Sequence, residues 1–384
     1  MKLLHLADLH LGKSLGEYDL YEDQRFLLRQ ILERIPEYGV DAVLIAGDVY
    51  DRSVPPEAAV SLLDWFLREL AGRQVRTFLI SGNHDSDERL HFGSALFEQS
   101  GISIVSKYDG TLRRYVLEDA FGEVSLYLLP FVKASQVRHF YPEETIETYE
   151  DAVKVILKHS DFDPGRRNVL VAHQFVAGKE DPVRAGSEGM SVLQVGNVER
   201  IGYGCLEAFD YVALGHIHCP QAVGCDQIRY AGSLMKYSLS EAGSEKTMPL
   251  VTLKEKGECL VELLPLVPMR DLRHIKGKMK QLLDPANITD PEDFIYVTLT
   301  EEDVQSDAMG IFQQYYPNTV RIDYENAHTR ELEQSIEMTE TEGRPFEELF
   351  ADFYRMIYGC GMNPEEQKII LSAAKEAGVI HEAD

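Results

Sequence analysis

Apolar runs alternate with amphipathic stretches through the first half of the chain. Strands are predicted where short apolar runs end on polar turns, at residues 2–7, 42–46, 75–80, 124–130, 168–172 and 210–214. Helical apolar spacing predicts helices over residues 23–35 and from Pro55 to about Leu70. This alternation predicts a largely buried sheet covered by helices, with functional groups on the loops at the strand ends.

The pattern changes near residue 265. A basic stretch at residues 269–280 is followed by two strand-like segments, at residues 294–300 and 318–324, with a helix predicted between them. This succession predicts a small α+β domain. Two interpretations of the basic stretch remain open: it lines a path for DNA, or it is a solvated linker and helix face.

From Thr329 the chain is acidic and its pattern is helical. Apolar residues with helical spacing form one stripe, at Phe346, Leu349, Phe350, Phe353, Met356 and Ile357. Asn363, Pro364 and Glu366 are typical of a second helix start. Such stripes often pack within their own domain, but two short helices beyond the other domains favour binding to a partner protein.

Composition narrows the class of protein. The 384 residues are 44% hydrophobic and 27% charged, enough for two or three domains with a buried core. No apolar run approaches the roughly 20 residues that span a bilayer. The five cysteines form no C-x-x-C pair, so neither a disulfide framework nor a thiolate zinc site is indicated. We therefore expect a protein of a reducing cytoplasm, with no membrane partner.

The net charge of −26 conflicts with a simple nucleic-acid binder. Binding to a phosphate backbone normally draws on lysine and arginine. Either the substrate is a small phosphate ester, or bound cations and a partner subunit supply the positive field.

Polar clusters follow five of the predicted strands. They are Asp8 with His10; Asp48 with Asp51; Asn83, His84 and Asp85; His173; and His216 with His218. Each cluster alone is more often structural, but together they supply carboxylate, amide and imidazole ligands that suit Mn, Fe, Zn or Mg. Two ions roughly 3.5–4 Å apart would activate water against a phosphodiester. Asp48 is the best candidate to bridge them, because Gly47 allows a sharp turn.

Two of these clusters have the spacing of chelating pairs. In Asp8-x-His10 and His216-x-His218 the residues alternate, and alternate residues of an extended segment share a face. We therefore expect each pair to point the same way from an extended backbone.

The motifs, in this order, resemble the calcineurin-like metallophosphoesterase superfamily. LLHLADLHLGKSL, VLIAGDVYDRSVPP, FLISGNHDS, YVALGHIHCPQ and YAGSLMKYSLSE are similar to one branch, the SbcD-type nuclease subunits of bacterial DNA repair complexes. The resemblance covers roughly residues 1–245. It implies an α/β fold, a four-layer β-sandwich flanked by helices, followed by a small α+β capping domain and C-terminal helices.

The resemblance also implies roles for individual residues. One ion would be held by Asp8, His10, Asp48 and His218, and the other by Asp48, Asn83, His173 and His216. His84 would not be a ligand but the general acid for the leaving oxygen, with Asp85 fixing its tautomer. For Asp85 and Asp51, loop capping by Asx turns is an equally open interpretation.

The activity implied is that of an Mn-dependent nuclease in DNA double-strand-break repair, replication and recombination. It would be a 3'–5' exonuclease on double-stranded DNA and an endonuclease on single-stranded or hairpin DNA, with two divalent ions, Mn before Mg, Fe or Zn. Three domains are expected: catalytic (1–265), DNA-contacting and capping (266–335), and helical (336–384). The last would bind an SbcC-type coiled-coil ATPase, with the chain a homodimer inside a heterotetramer.

Two other functions stay open. A small-substrate phosphodiesterase or phosphatase of the same superfamily would suit the acidic charge but leaves the region beyond the catalytic domain without a purpose. A catalytically silent scaffold is the other, and the presence of every ligand position and of His84 argues against it.

Overall fold

The structure is a computed structural model that describes residues 1–186, 200–301 and 306–325, with short stretches between 350 and 371. The apolar stripe predicted at residues 346–357 lies largely outside the described residues. At Asn363 the predicted helix cap is present: its side chain accepts the Glu366 N–H at 2.9 Å, and the Glu366 carboxylate accepts the Asn363 N–H at 2.8 Å.

Nineteen strands lie in the described residues. They are β1 Lys2–Leu6, β2 Ser14–Leu15, β3 Tyr18–Asp19, β4 Ala42–Ala46, β5 Arg76–Ile80, β6 Ile102–Val105, β7 Arg113–Asp119, β8 Gly122–Leu129, β9 Arg167–Ala172, β10 Val176–Ala177, β11 Ile201–Gly202, β12 Tyr211–Leu214, β13 Gln221–Val223, β14 Cys225–Tyr230, β15 Thr247–Leu253, β16 Cys259–Pro265, β17 Leu272–Gly277, β18 Phe294–Leu299 and β19 Thr319–Tyr324.

Eight α-helices lie in the same residues. They are α1 Tyr21–Tyr38, α2 Glu57–Gly72, α3 Asp87–His91, α4 Ser94–Gln99, α5 Ala134–Phe140, α6 Tyr149–Lys158, α7 Met279–Leu282 and α8 Ala308–Gln313. No helix in the described residues is both long enough and apolar enough to cross a membrane.

Two six-stranded mixed sheets form the body of the fold. The first has the order β16-β15-β1-β4-β5-β6 and the second the order β13-β14-β12-β9-β8-β7. In each sheet four neighbouring strands are parallel, β1-β4-β5-β6 in the first and β14-β12-β9-β8 in the second. Parallel strands end at the same edge, so the loops that follow them are gathered at one edge of each sheet.

Three apolar cores separate four layers. One core lies between the sheets and contains Leu3, Phe78 and Tyr211. Leu4, next along β1, belongs instead to the core under α1 and α2, because alternate residues of a strand face opposite sides. A third core packs α5 and α6 on the outer face of the second sheet, around residues such as Val212. The predicted helix-flanked sandwich is therefore confirmed.

The chain divides into two compact units. The first contains Met1–Ile275, Thr289–Tyr296 and Met309–Arg321, and the second contains Lys276–Ile288, Val297–Ala308 and the chain from Ile322. Strands β17, β18 and β19 form a three-stranded sheet, and α8 lies between β18 and β19 in sequence, as predicted for the small α+β region. The boundaries expected at residues 265 and 335 stay predictions.

Several predicted bounds differ from the structure. The second helix begins at Glu57, because Pro56 has an extended backbone with φ −66° and ψ 153° and caps the helix from outside. The first helix is longer than expected, running over Tyr21–Tyr38 with Pro36 inside its last turn. Edge strands such as β7 and β16 were not predicted, because half-exposed strands lack a continuous apolar run.

The basic stretch at residues 269–280 is largely paired with carboxylates. Arg270 contacts Asp23, Arg273 lies 2.7 Å from Asp293, and Lys276 contacts Glu325. These cations have local structural partners, which favours the linker interpretation over a dedicated path for DNA.

Candidate metal centre

Loops from both sheets bring the predicted site residues together. The loops after β1, β4 and β5 carry the residues from Asp8 to Asp85, and the loops after β9 and β12 carry His173, His216 and His218. Three groups of His and Asp side chains offer ligand atoms within 4.8 Å of one another: Asp8, His10 and His218; His10, Asp48 and His84; and Asp8, Asp48 and His173. The sequence-predicted clusters thus form one buried centre.

Asp48 lies at the middle of this centre. Its Oδ2 is 3.4 Å from His173 Nε2 and 3.7 Å from His10 Nε2, one ring from each of the two expected ligand sets. Its Oδ1 accepts the backbone N–H of His84 at 2.9 Å, which fixes the carboxylate plane. The residue is only 2% exposed. Burial would raise its pKa, but the facing histidines hold the pKa of Asp48 well below its usual range.

The first cluster brings two imidazole nitrogens face to face. His10 Nε2 and His218 Nε2 lie 3.0 Å apart. Two nitrogens bound at right angles to one ion, each at about 2.1 Å, would lie about 3.0 Å apart. Burial lowers the pKa of His10 to about 3 and that of His218 well below its ordinary value, so both rings are neutral. This cluster, with Asp8 beside it, fits a divalent ion.

The second cluster is built around Asn83. Its Oδ1 lies 2.9 Å from His216 Nδ1 and 3.1 Å from His173 Nε2, spacings that again fit ligands of one ion. His173 Nδ1 donates to the Ala46 carbonyl at 2.8 Å. That bond directs His173 Nε2 towards Asn83 and Asp48, in the usual manner of a metal-ligating histidine.

Backbone strain is concentrated at the proposed ligands. Asp8, His10, Asp48 and His216 have positive φ angles of 49°, 42°, 47° and 96°. Non-glycine residues rarely adopt such angles, and the cost of about 1–3 kcal/mol each must be met by the surrounding structure. The prediction that each His/Asp pair projects from an extended segment was therefore wrong. The strands end at Leu6 and Leu214, and the ligands lie on tight turns beyond them.

Two glycines allow the loops to approach one another. A Cβ on Gly82 would lie 2.1 Å from Asp48 Oδ1, and a Cβ on Gly215 would lie 1.9 Å from the Ala46 carbonyl oxygen. Real atoms do not come so close, so only glycine fits either position. The Gly82 requirement comes from the close approach of the loops after β4 and β5 in the first sheet, and the Gly215 requirement from the approach of the second sheet's β12 loop to β4.

His84 differs from the other histidines of the centre. Its Nδ1 lies 2.9 Å from the Asp51 carbonyl oxygen, and since a carbonyl only accepts, Nδ1 carries the proton. Its Nε2 lies 4.0 Å from Asp48 Oδ2, and its side chain is 25% exposed, whereas His10 and His173 are fully buried. His84 is thus the histidine of the centre that a substrate can reach.

Asp85 has another role than the one predicted. Its carboxylate accepts three backbone N–H groups, from Val49 at 3.1 Å, Tyr50 at 2.9 Å and Gly82 at 2.9 Å. Burial, with Asp48 nearby, raises its pKa to about 6. Asp85 ties together the loops after β4 and β5, and the His84 tautomer is fixed by the Asp51 carbonyl instead. The carboxylate binds loop backbone, as the alternative interpretation expected, but these three bonds go to another loop and to Gly82 rather than forming an Asx turn.

Asp51 supports the centre from its edge. Its Oδ1 accepts a bond from Lys13 Nζ at 2.7 Å and lies 3.6 Å from His10 Nδ1. The Asp51 backbone carbonyl also accepts the His84 Nδ1–H. Asp51 therefore contacts the exposed histidine and lies close to the proposed ligand His10. No metal-ligating contact needs to be assigned to it.

Several residues around the centre were not predicted. Gln24, Tyr237 and Lys246 donate to backbone carbonyls of the His10 and His218 loops, and Glu241 pairs with Lys246. A sequence pattern does not show such contacts. The motif that contains Tyr237 and Glu241 was noticed only as part of the family resemblance.

The comparisons with known proteins agree with this geometry. The family model of calcineurin-like phosphoesterases matches residues 1–220, more than half of the chain. A second model, SbcD_C, described as the type 5 capsule protein repressor C-terminal domain, matches residues 268–358. The chain belongs to the calcineurin-like phosphoesterase family. It is therefore a metal-dependent phosphoester hydrolase, and its second matched domain follows the catalytic one as the resemblance implied.

Solved structures also match, at low sequence identity. A dimetal phosphatase from Danio rerio is 14% identical, with a TM-score of 0.39, over 70% of this chain and 96% of that chain. Yfce, a phosphoesterase from E. coli, is 13% identical, with a TM-score of 0.27, over 70% of this chain and all (100%) of that chain.

Metal binding should release a proton from His173. Burial would lower the pKa of His173, but the Asp48 and Asp8 carboxylates raise it to about 9, so the metal-free ring is charged at pH 8. An ion needs the neutral ring, so binding at pH 8 should release about 0.9 proton from this residue. Above pH 10 the ring is already neutral and this release should vanish.

Calorimetric titration with Mn²⁺ in buffers of different ionisation enthalpy counts the released protons. His216, whose pKa burial lowers to about 3, serves as the internal comparison because it releases none in this range. An equal release at pH 8 and pH 10 would contradict the assignment of a charged His173.

Proposed function

We propose that the centre binds two divalent ions that share Asp48. The ligand sets are Asp8, His10, Asp48 and His218 for one ion, and Asp48, Asn83, His173 and His216 for the other. The observation that carries this proposal is the position of Asp48 Oδ2, which lies 3.7 Å from His10 Nε2 of the first set and 3.4 Å from His173 Nε2 of the second. Such a pair of ions supplies Lewis acidity and an activated water for phosphodiester hydrolysis.

In this proposal His84 is the general acid. With Nδ1–H donated to the Asp51 carbonyl, a proton taken up at Nε2 is held on the side of the ring that faces Asp48 and solvent. From that atom it is delivered to the oxygen that leaves the phosphorus. Imidazole titrates near neutral pH, which suits proton donation to an alkoxide leaving group. Asp51 acts through His84, as a positioning residue.

We propose DNA as the substrate, cleaved as an Mn-dependent 3'–5' exonuclease on duplexes and an endonuclease on single-stranded or hairpin DNA. The SbcD_C match at residues 268–358 supports this assignment. Cations around the centre support it as well. The Arg184 guanidinium lies 4.3 Å over the Phe175 ring, whose centroid is 6.4 Å from that of His216.

The cations near the centre show how a chain with a strongly negative net charge could still bind a phosphate backbone. Within the described part of the chain, no carboxylate lies within ion-pair distance of Arg184, and Arg52 is 62% exposed beside the Asp51 loop. Arg184 can meet a phosphate near the centre, and the exposed Arg52 already lies 3.8 Å from Asp51 Oδ2, although the whole chain carries −26. A small-substrate phosphodiesterase or phosphatase remains the second candidate, favoured by that overall charge.

His84→Ala should separate chemistry from metal binding. Because His84 is outside both ligand sets, we expect turnover of end-labelled hairpin and duplex DNA with Mn²⁺ to fall by about 10²–10⁴-fold. Metal stoichiometry should stay that of the wild type. The matched control is His91→Ala, an exposed histidine on α3, which should leave both quantities unchanged.

The same assay distinguishes the two candidate substrates. Cleavage of a small chromogenic phosphodiester with no cleavage of either DNA would favour the small-substrate enzyme. Loss of metal from His84→Ala would remove His84 from the role of acid and place it among the ligands.

We further propose that residues 336–384 bind an SbcC-type coiled-coil ATPase and that the chain forms a homodimer within a heterotetramer. The SbcD_C match and the apolar stripe of residues 346–357 support the partner assignment. Deletion of residues 345–384 should abolish co-purification with the ATPase, while short single-stranded oligonucleotides are still cleaved. The full chain is the control, and unchanged co-purification would contradict the assignment.

A further inference from the structure

A buried lysine, Lys246, contacts the loop that carries His218. Lys246 Nζ donates to the His218 carbonyl at 2.8 Å, to Ser233 Oγ at 2.9 Å and to Glu241 Oε2 at 2.6 Å. An ammonium has three N–H donors, so all three are used. The side chains of Lys246 and Glu241 are 4% and 0% exposed. Burying an ion pair costs desolvation free energy. A pair buried next to a proposed ligand loop therefore suggests that the pair holds that loop in place.

Glu241 also binds the segment that carries Tyr237. Its Oε1 accepts the Tyr237 backbone N–H at 3.1 Å and the Ser238 hydroxyl at 3.0 Å. The carboxylate thus fixes the short segment that carries the Tyr237 ring. That ring packs edge-on against His10 and His218, with centroids 5.7 Å and 6.2 Å away.

Tyr237 and Gln24 hold the backbone around His10. Tyr237 OH donates to the Leu9 carbonyl at 2.7 Å, and Gln24 Nε2 donates to the His10 carbonyl at 2.8 Å and to Tyr237 OH at 3.2 Å. Gln24 Oε1 accepts the Gly12 N–H at 3.2 Å. Both side chains are buried. The loop that carries His10 is therefore held from its backbone, just as the His218 loop is.

We name these four residues, Gln24, Tyr237, Glu241 and Lys246, the carbonyl bracket. We propose that the carbonyl bracket sets the 3.0 Å spacing of His10 Nε2 and His218 Nε2, and so the affinity of one ion only, the one held by Asp8, His10 and His218. Its members are positioning residues: Gln24, Tyr237 and Lys246 bind backbone carbonyls of the ligand loops, and Glu241 holds Lys246 and the Tyr237 segment. The inference rests on the two-ion site proposed above.

The second ion is positioned by other contacts. His173 Nδ1 donates to the carbonyl of Ala46, the last residue of β4, and His173 Nε2 and His216 Nδ1 both lie near Asn83 Oδ1 on the loop after β5. Loss of the bracket should therefore weaken the two ions unequally. A general loosening of the fold would weaken both.

The test is a double variant, Glu241→Gln with Lys246→Met, which removes the ion pair without leaving one buried charge alone. We expect Mn²⁺ binding, followed by calorimetry and by electron paramagnetic resonance, to show one of two sites weakened by about 10- to 100-fold. In a His216→Gln background, which disables the second site, the remaining site should be the weakened one. In a His10→Gln background the remaining site should be unchanged.

The matched control is Asp119→Asn with Arg167→Met, a second largely buried pair, with side chains 14% and 6% exposed, which contacts no ligand loop. It should leave both Mn²⁺ affinities unchanged. If the bracket double variant does not fold by circular dichroism, Tyr237→Phe replaces it, since it removes only the hydroxyl bond to Leu9. The same site should then weaken by a smaller, several-fold factor.

The outcomes separate this inference from the proposed function. If the wild type binds fewer than two Mn²⁺ ions, the two-ion site itself is wrong. If the wild type binds two and the bracket variants weaken both equally, weaken only the Asn83 site, or change neither, the positioning role is overturned. Selective weakening of the site that contains His10 and His218 supports it.

Discussion

The centre depends on one buried carboxylate placed between two groups of histidines. Asp48 is 2% exposed, and its Oδ2 lies within 4 Å of both His173 Nε2, at 3.4 Å, and His10 Nε2, at 3.7 Å. An ionised carboxylate is stable in such a place only with compensating positive charge or donors. In the metal-free protein a protonated His173 supplies that charge, and in our account divalent ions supply it in the working enzyme. The strained turns and the glycines Gly82 and Gly215 follow from gathering ligands around this group.

The two sheets contribute different parts of that arrangement. The loops of the first sheet supply Asp48, Asn83 and the partly exposed His84, and the loops of the second supply His173, His216 and His218. Neither sheet alone could surround an ion, so the site exists only because the inner core holds both sheets face to face. The packing between the two sheets is therefore required for the proposed metal site to form.

Much of the site could be predicted from the sequence, because its ligands follow apolar strands in a fixed order. The backbone conformation of the ligand loops and the contacts of some side chains were not predicted. Alternation in Asp8-x-His10 suggested an extended pair, whereas both residues have positive φ, a property set by the meeting of loops far apart in sequence. The family resemblance implied that Asp85 orients His84, but the Asp85 carboxylate accepts backbone N–H groups of Val49 and Tyr50 on the loop after β4. The contacts of Lys246 with His218 are tertiary, so no local pattern reveals them.

The central claim is that Asp48 bridges two ions. The most direct measurement is anomalous diffraction at the manganese absorption edge from crystals of the Mn²⁺-loaded protein. The account predicts two peaks about 3.5–4 Å apart, with Asp48 in the coordination sphere of both. One peak, or two peaks of which only one has Asp48 as a ligand, would contradict it.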